Sequence, residues 1–328
     1  RNQFQAESSE HSKMNHYILK TWEVRAIEIG LLALVLLFAP NYGIAQNVRH
    51  TRKPAASGDS RPTQVATHET LTAKSLGGAA LQYRVLLPAD YESSPRRYPV
   101  LYLLHGAGGD ENDWSSRTDL ASYVAKYSLI VVMPAVGNTW YANSASDEKA
   151  RYEDVIIRDL IPHIDAKYRT IGNWHGRAIA GLSMGGFGAM KFALRYPHLF
   201  VFAASFSGAF DAPRTDVVVN ATDERSKNLL QTFGENGSET RRQNDVFQLL
   251  AKISPGTRVP YLYIATGNND PLVSVLPSNP RFADSLRERK FAYEYHERPG
   301  SHDWRFWDAE IKFALERMAV FVPHMTQD

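Results

Sequence analysis

Cysteine is absent from all 328 residues, which rules out disulfides, thiolate metal ligands and a thiol nucleophile. Charge of one sign is not in excess either. Lys and Arg number 37 against 35 Asp and Glu, so nothing in the balance points to a nucleic acid partner. No H-E-x-x-H or comparable cluster occurs among the histidines, and that disfavours a metal-dependent hydrolase. The longest apolar run, Ile29 to Ala39, has 11 residues, whereas a spanning helix needs about 20. A stable membrane span is therefore not expected. No internal repeat is visible.

That apolar run nevertheless has a reading. Met14 precedes Lys20 and Arg25, the run follows, and Gly43-Ile44-Ala45 offers small residues for cleavage before Gln46. This is the order of an export signal. Residues 14–45 are thus expected to be a signal peptide, residues 1–13 an upstream extension, and the mature protein secreted or periplasmic. Residues 46–75 begin with a stretch rich in Ser, Pro, Gly and basic side chains, with little apolar surface to bury, and read as a flexible leader. The rest, 76–328, falls within the size of one domain.

Within it, apolar runs alternate with helical periodicity. Strands are read at Tyr98 to Leu104, Leu129 to Pro134, Ala178 to Ala180, Phe202 to Phe206, Pro260 to Ala265 and Phe291 to His296. Helices are read at Leu120 to Tyr127, Tyr152 to Ala166, Phe187 to Arg195 and Phe282 to Glu288, with a further one at the carboxyl end. Such alternation implies an α/β fold, a mostly parallel central sheet with helices on both faces. The polar, poorly periodic segment 211–255 reads as an insertion or small lid.

Gly181-Leu182-Ser183-Met184-Gly185 lies between the strand ending at Ala180 and the helix beginning at Phe187. A serine at such a strand-turn-helix corner, flanked by glycines where the turn is tightest, can present its hydroxyl as a nucleophile. A serine needs a base, and the base needs an acid to orient it. His302 follows the last strand and is the expected base; Asp270, in the loop after Ala265, is the expected acid. Asp211, Glu297 and Asp303 are the rival acids. Donors for an oxyanion are expected from the Met184 N–H and from the Ala107 N–H, in the glycine-rich loop His105-Gly106-Ala107-Gly108-Gly109. His105 reads as a packing residue rather than a second base.

Taken together, Leu103-Leu104-His105-Gly106 with Asn112-Asp113-Trp114, the Gly-Leu-Ser-Met-Gly-Gly corner, and Gly300-Ser301-His302-Asp303-Trp304 with Trp307 resemble the esterase branch of the α/β-hydrolase superfamily. That branch holds esterase D, tributyrin, acetyl and feruloyl esterases, S-formylglutathione hydrolase and the mycolyltransferases. The resemblance spans about Leu81 to Val322. It implies an α/β-hydrolase fold, a serine esterase with Ser183, Asp270 and His302 as its triad, and no metal or organic cofactor. Mycolyltransferases usually carry a glutamate where Asp270 stands, which argues against that branch.

The expected activity is therefore hydrolysis of short-chain acyl, acetyl or feruloyl esters through an acyl-enzyme, on a small-molecule or polysaccharide-linked substrate. An acyltransferase using a sugar or lipid alcohol, and a catalytically silent binding module, are the alternatives. Trp114, Trp140, Tyr141 and Trp304 lie near the ends of strands and are expected to line the substrate cleft. Asn138 and Asn143 are weighed as contacts for a polar alcohol portion of the substrate, but neither is counted among the expected site residues.

Overall fold

The strands that read as unbroken apolar runs are those covered on both faces. In the computed structural model, which describes residues 65–218, 220–272 and 274–326, every residue of β3 (Val100–Leu104), β4 (Ile130–Pro134), β5 (Arg177–Leu182) and β6 (Phe202–Phe206) is buried. Side chains alternate across the sheet. Val100, Tyr102 and Leu104 enter one apolar layer, while Leu101 and Leu103 enter the other.

Eight strands form one sheet in the order β1-β2-β4-β3-β5-β6-β7-β8, where β1 is Thr67–Thr72, β2 Ala80–Leu86, β7 Tyr261–Gly267 and β8 Tyr293–Arg298. The β1–β2 and β2–β4 pairs are antiparallel and the other pairs are parallel. One face is covered by α1 (Asp113–Arg117), α2 (Leu120–Val124) and the terminal helix Trp304–Phe321, through Trp114, Leu120, Val124, Phe306, Ile311 and Leu315. On the other lie α3 (Tyr152–Asp154), a π-helical turn Val155–Leu160, α4 (Ile161–Lys167) and α5 (Met184–Arg195).

Three short helices, α6 (Glu224–Phe233), α7 (Glu239–Asn244) and α8 (Val246–Lys252), fill the connection between β6 and β7. They are the segment expected as an insertion. α9 (Ser278–Glu288) follows β7, and α10 is the terminal helix. Each of these short helices is started by a side-chain cap: Asp223 accepts from Ser226 N–H, Ser238 from Arg241 N–H and Asp245 from Phe247 N–H. Caps of this kind satisfy backbone donors that a helix cannot pair internally.

The expected leader, 46–75, ends too late. β1 and a 3-10 turn at Lys74–Leu76 already belong to the sheet domain. β1 is an edge strand whose only apolar side chain is Leu71, so its sequence carries no strand-like hydrophobic alternation. The readings placed on residues 1–64, the extension, the signal peptide and most of the leader, lie outside the described residues. Among the described residues no helix is long and apolar enough to cross a membrane.

Helix α5 is buried along almost its whole length, and it carries a buried ion network. Lys191 Nζ donates to Glu153 Oε2 at 2.8 Å, to the Tyr141 carbonyl at 2.5 Å and to Asn244 Oδ1 at 3.2 Å. Each ammonium proton thus has an acceptor. Glu153 also accepts from Arg195 Nη1 at 2.5 Å and from Tyr196 OH at 2.6 Å. Burial alone would raise the Glu153 carboxyl, but Lys191 and Arg195 outweigh it and hold it at about 2. Burial draws the Lys191 ammonium down to about 8 against the pull of Glu153, which leaves both groups charged at neutral pH.

Because the Glu153 value lies below its ordinary 4.5, its contribution to stability is present above pH 4.5 and lost as pH falls toward 2. Glu153→Gln strands the Lys191 charge in the core and is expected to cost about 3–5 kcal/mol. Urea titration at pH 7 checks this. A variant as stable as the parent would show that the network is no net support to the fold.

Candidate active site

The sheet brings the relevant loops to one end. β3 and β5 are adjacent and parallel, with Leu104 paired to Gly181, so the loop after Leu104 and the turn after Leu182 leave side by side. Since β4 lies on one side of β3 and β5 on the other, the chain reverses direction there, and ligands of open α/β sheets sit at such a point. β7 and β8 are neighbours too, with Gly267 paired to Arg298. Their loops are stitched together by Asn268 N–H to the Arg298 carbonyl and Asn269 N–H to the Gly300 carbonyl, each 2.9 Å.

Ser183 has φ 51° and ψ −115°, a left-handed conformation that costs a non-glycine residue roughly 1–3 kcal/mol. The surroundings hold it there. Its N–H donates to the Phe206 carbonyl at 2.8 Å, and its carbonyl accepts from Phe187 N–H at 3.0 Å and Ala209 N–H at 3.2 Å. The corner also requires close backbone approach. A Cβ on Gly185 would sit 2.5 Å from the Leu104 carbonyl oxygen, and one on Gly106 would sit 2.5 Å from Leu182 Cδ1.

At this corner three side chains form one hydrogen-bonded chain. His302 Nε2 lies 2.9 Å from Ser183 Oγ, and His302 Nδ1 lies 2.8 Å from Asp270 Oδ2. The Asp270 side chain is wholly buried, and its Oδ1 accepts from Leu272 N–H at 3.0 Å. A carboxylate can only accept, so Nδ1 carries the imidazole proton and Nε2 is free to accept from the serine hydroxyl. Trp307 packs edge-on against the imidazole, centroids 5.0 Å apart. This arrangement can deprotonate the hydroxyl and return the proton later.

The three rival acids are occupied elsewhere. Asp211 pairs with Arg281, Asp303 caps α10 by accepting from Phe306 N–H at 3.0 Å, and Glu297 is exposed and accepts from Tyr295 OH. His105 is buried and neutral. Val136 N–H can only donate, and it meets His105 Nε2 at 3.1 Å, so Nδ1 holds the proton and donates to the Gly106 carbonyl at 2.7 Å. Burial pushes this imidazole below its ordinary value.

Ala107 lies beside Ser183, both lining a cleft of about 220 Å³ together with Leu182, Asp113, Arg117, His302, Trp304 and Trp307. Met184 is the first residue of α5, so its N–H has no partner within the helix. Of the four aromatic residues expected around the substrate, the structure brings only Trp304 to this cleft. Trp114 is buried and donates Nε1–H to the Leu104 carbonyl at 3.0 Å. Tyr141 is buried with its hydroxyl on the His105 carbonyl at 3.0 Å, and Trp140 donates to Asn228 Oδ1 at 2.7 Å. All three support the loops from beneath, because a strand end fixes where a residue sits but not which way its side chain turns.

The Asp113–Arg117 pair, 3.2 Å apart, was not foreseen as part of the cleft. Its only sequence signal is opposite charges four residues apart. Burial raises the Asp113 carboxyl, with Arg117 opposing. A larger cleft of about 710 Å³, lined by Asp211, Arg214, Asp216, Arg225, Leu229 and Arg281 among others, contains none of the three hydrogen-bonded side chains.

The chain matches the family described as "putative esterase" over residues 74–318. It is 34% identical over 247 residues to an esterase of Mycobacterium tuberculosis, a match covering 67% of this chain and 52% of that protein. The chain thus spans about half the length of that relative. An acetyl esterase of Caldicellulosiruptor saccharolyticus is 27% identical, with 67% of this chain and 83% of that one covered. Among solved structures, a fluorophosphonate-binding serine hydrolase of Staphylococcus aureus superposes with a TM-score of 0.69 at 27% identity, over 78% of this chain and 99% of that one.

Proposed function

Because the chain belongs to this esterase family of α/β-hydrolases, we propose that it is a serine carboxylesterase whose acyl-enzyme forms on Ser183. The observation that carries this reading is the unbroken chain from Ser183 Oγ through His302 to the buried Asp270.

In the first half-reaction Ser183 Oγ attacks the ester carbonyl carbon while His302 Nε2 takes the hydroxyl proton. The carbonyl oxygen becomes an anion facing the Ala107 and Met184 N–H groups. Collapse breaks the bond to the alcohol, which leaves with the proton from His302. In the second half a water gives its proton to His302 and adds to the acyl carbon, and the acid departs as Ser183 recovers its proton. One ester and one water yield one acid and one alcohol.

The cleft's volume bears on the substrate. At about 220 Å³ it falls below the roughly 300–1,000 Å³ typical of sites for drug-sized ligands, which supports short acyl groups such as acetate. A feruloyl ester is the second reading, favoured by the indole walls of Trp304 and Trp307. On p-nitrophenyl acetate, butyrate, octanoate and palmitate, kcat/KM is expected to drop steeply beyond butyrate, with methyl ferulate assayed alongside. Palmitate as the best substrate would overturn the short-chain reading. Turnover that appears only with a sugar or lipid alcohol would make the protein a transferase. Export rests on the leader sequence alone, and the amino terminus of the mature protein, expected at Gln46, tests it.

A further inference from the structure

The two donors proposed for the oxyanion are held by different means. Met184 N–H is set by the corner itself, whereas Ala107 lies in a loop with no regular structure of its own. One segment of the chain, residues 136–141 beyond β4, supplies much of what steadies that loop. Val136 N–H donates to His105 Nε2, Tyr141 OH to the His105 carbonyl, and Asn138 Oδ1 accepts from Gly108 N–H at 2.6 Å. Gly108 is the residue next to Ala107, so the Asn138 contact restrains the peptide adjoining the donor.

The supporting segment is itself strained. Trp140 and Tyr141 are consecutive non-glycine residues at φ 55° and 51°, a conformation that must be imposed from outside. Tyr141 is held through its carbonyl by Lys191. Asn228 of helix α6 holds the rest, with its Oδ1 accepting from Trp140 Nε1–H at 2.7 Å and its Nδ2 donating to the Asn138 carbonyl at 2.6 Å. The orientation of the Asn228 amide is settled by chemistry. An indole N–H can only donate and a carbonyl can only accept, so the Asn228 oxygen must face Trp140 and its nitrogen must face Asn138.

We propose that Asn138 is a positioning residue for the oxyanion hole, and that Asn228 ties the hole to helix α6. This rests on the assignment of Ala107 N–H as an oxyanion donor in the esterase reading. Asn138 touches no reacting atom. Its side chain fixes the loop, and its carbonyl passes the restraint to α6.

The test uses a p-nitrophenyl ester that the parent hydrolyses and Ser183→Ala does not. If that condition fails, the esterase reading falls and the positioning proposal is not what failed. With it met, Asn138→Ala is expected to lower kcat about 10- to 100-fold, since small misplacements of a catalytic group have effects of that order, while KM stays within about twofold. An alkyl trifluoromethyl ketone, which adds to the serine to give an anionic tetrahedral adduct, is expected to bind more weakly in the same proportion. The pH profile of kcat/KM should keep its shape, because the His302–Asp270 pair is untouched.

Asn228→Ala and Trp140→Phe are expected to show the same pattern at about 3- to 10-fold, and the Asn138/Asn228 double variant to be no worse than Asn138→Ala, as for links in one chain. A kcat within twofold of the parent in Asn138→Ala, or loss of ketone binding unrelated to loss of kcat, overturns the proposal. Should Asn138→Ala not fold, unchanged kcat in both Asn228→Ala and Trp140→Phe overturns it instead.

Discussion

Ser183→Ala is expected to reduce kcat on p-nitrophenyl acetate by about 10⁶-fold, the order seen when a serine nucleophile is removed from a triad. Alanine carries no atom that can form the acyl bond, and the remaining donors can only polarise the ester for slow attack by water. Stability should hardly change. Among the described residues the Ser183 hydroxyl bonds only to His302, alanine fits the same backbone at no greater strain, and the backbone bonds to Phe206, Phe187 and Ala209 remain. Steady-state rates and the mass of the protein after exposure to a fluorophosphonate read the outcome together. A single added phosphonyl group is expected on the parent and none on the variant. Turnover near that of the parent would place the nucleophile elsewhere and sink the mechanism.

Asp270→Asn is expected to lower kcat by about 10⁴-fold, as loss of the orienting carboxylate does in serine triads. The structure supplies the reason. Leu272 N–H donates to Asp270 Oδ1, so the oxygen of an asparagine would be kept on that side and its NH2 turned toward His302 Nδ1. Facing a donor, Nδ1 must accept, and the imidazole proton moves to Nε2. The nitrogen beside Ser183 then has no lone pair to offer. Asp211→Asn is the control, expected to leave kcat within about twofold, since Asp211 is engaged by Arg281 in the lining of the larger cleft. Activity kept in the first variant and lost in the second would transfer the acid role to Asp211.

Why the three hydrogen-bonded side chains could be picked out from the sequence while the walls of their cleft could not comes down to what each depends on. Ser183 and Asp270 follow β5 and β7, which are buried almost throughout, and such a strand must be largely apolar, so its end is visible as the first glycine or polar residue; His302 follows the half-buried edge strand β8, which is legible instead from its alternation. The chemistry then narrows the choice among a few loop residues. Trp114, Trp140 and Tyr141 also follow strands, but an aromatic ring that supports a loop from beneath and one that faces a substrate have the same composition and position along the chain. The edge strand β1 escaped for the opposite reason, being too polar to look like a strand.

Sequence by itself determined the layered α/β architecture, the serine corner and the loops that carry Ser183, Asp270 and His302, because these depend on apolar periodicity and on local turns that only certain residues can make. Tertiary structure alone decided that Asp270 rather than Asp211, Glu297 or Asp303 meets His302, that His105 is locked neutral, and that Asn138 and Asn228 join helix α6 to the loop beside the serine. Asn138 and Asn228 are 90 residues apart along the chain, and hydrogen bonds at that separation exist only once the sheet has brought its loops to one end.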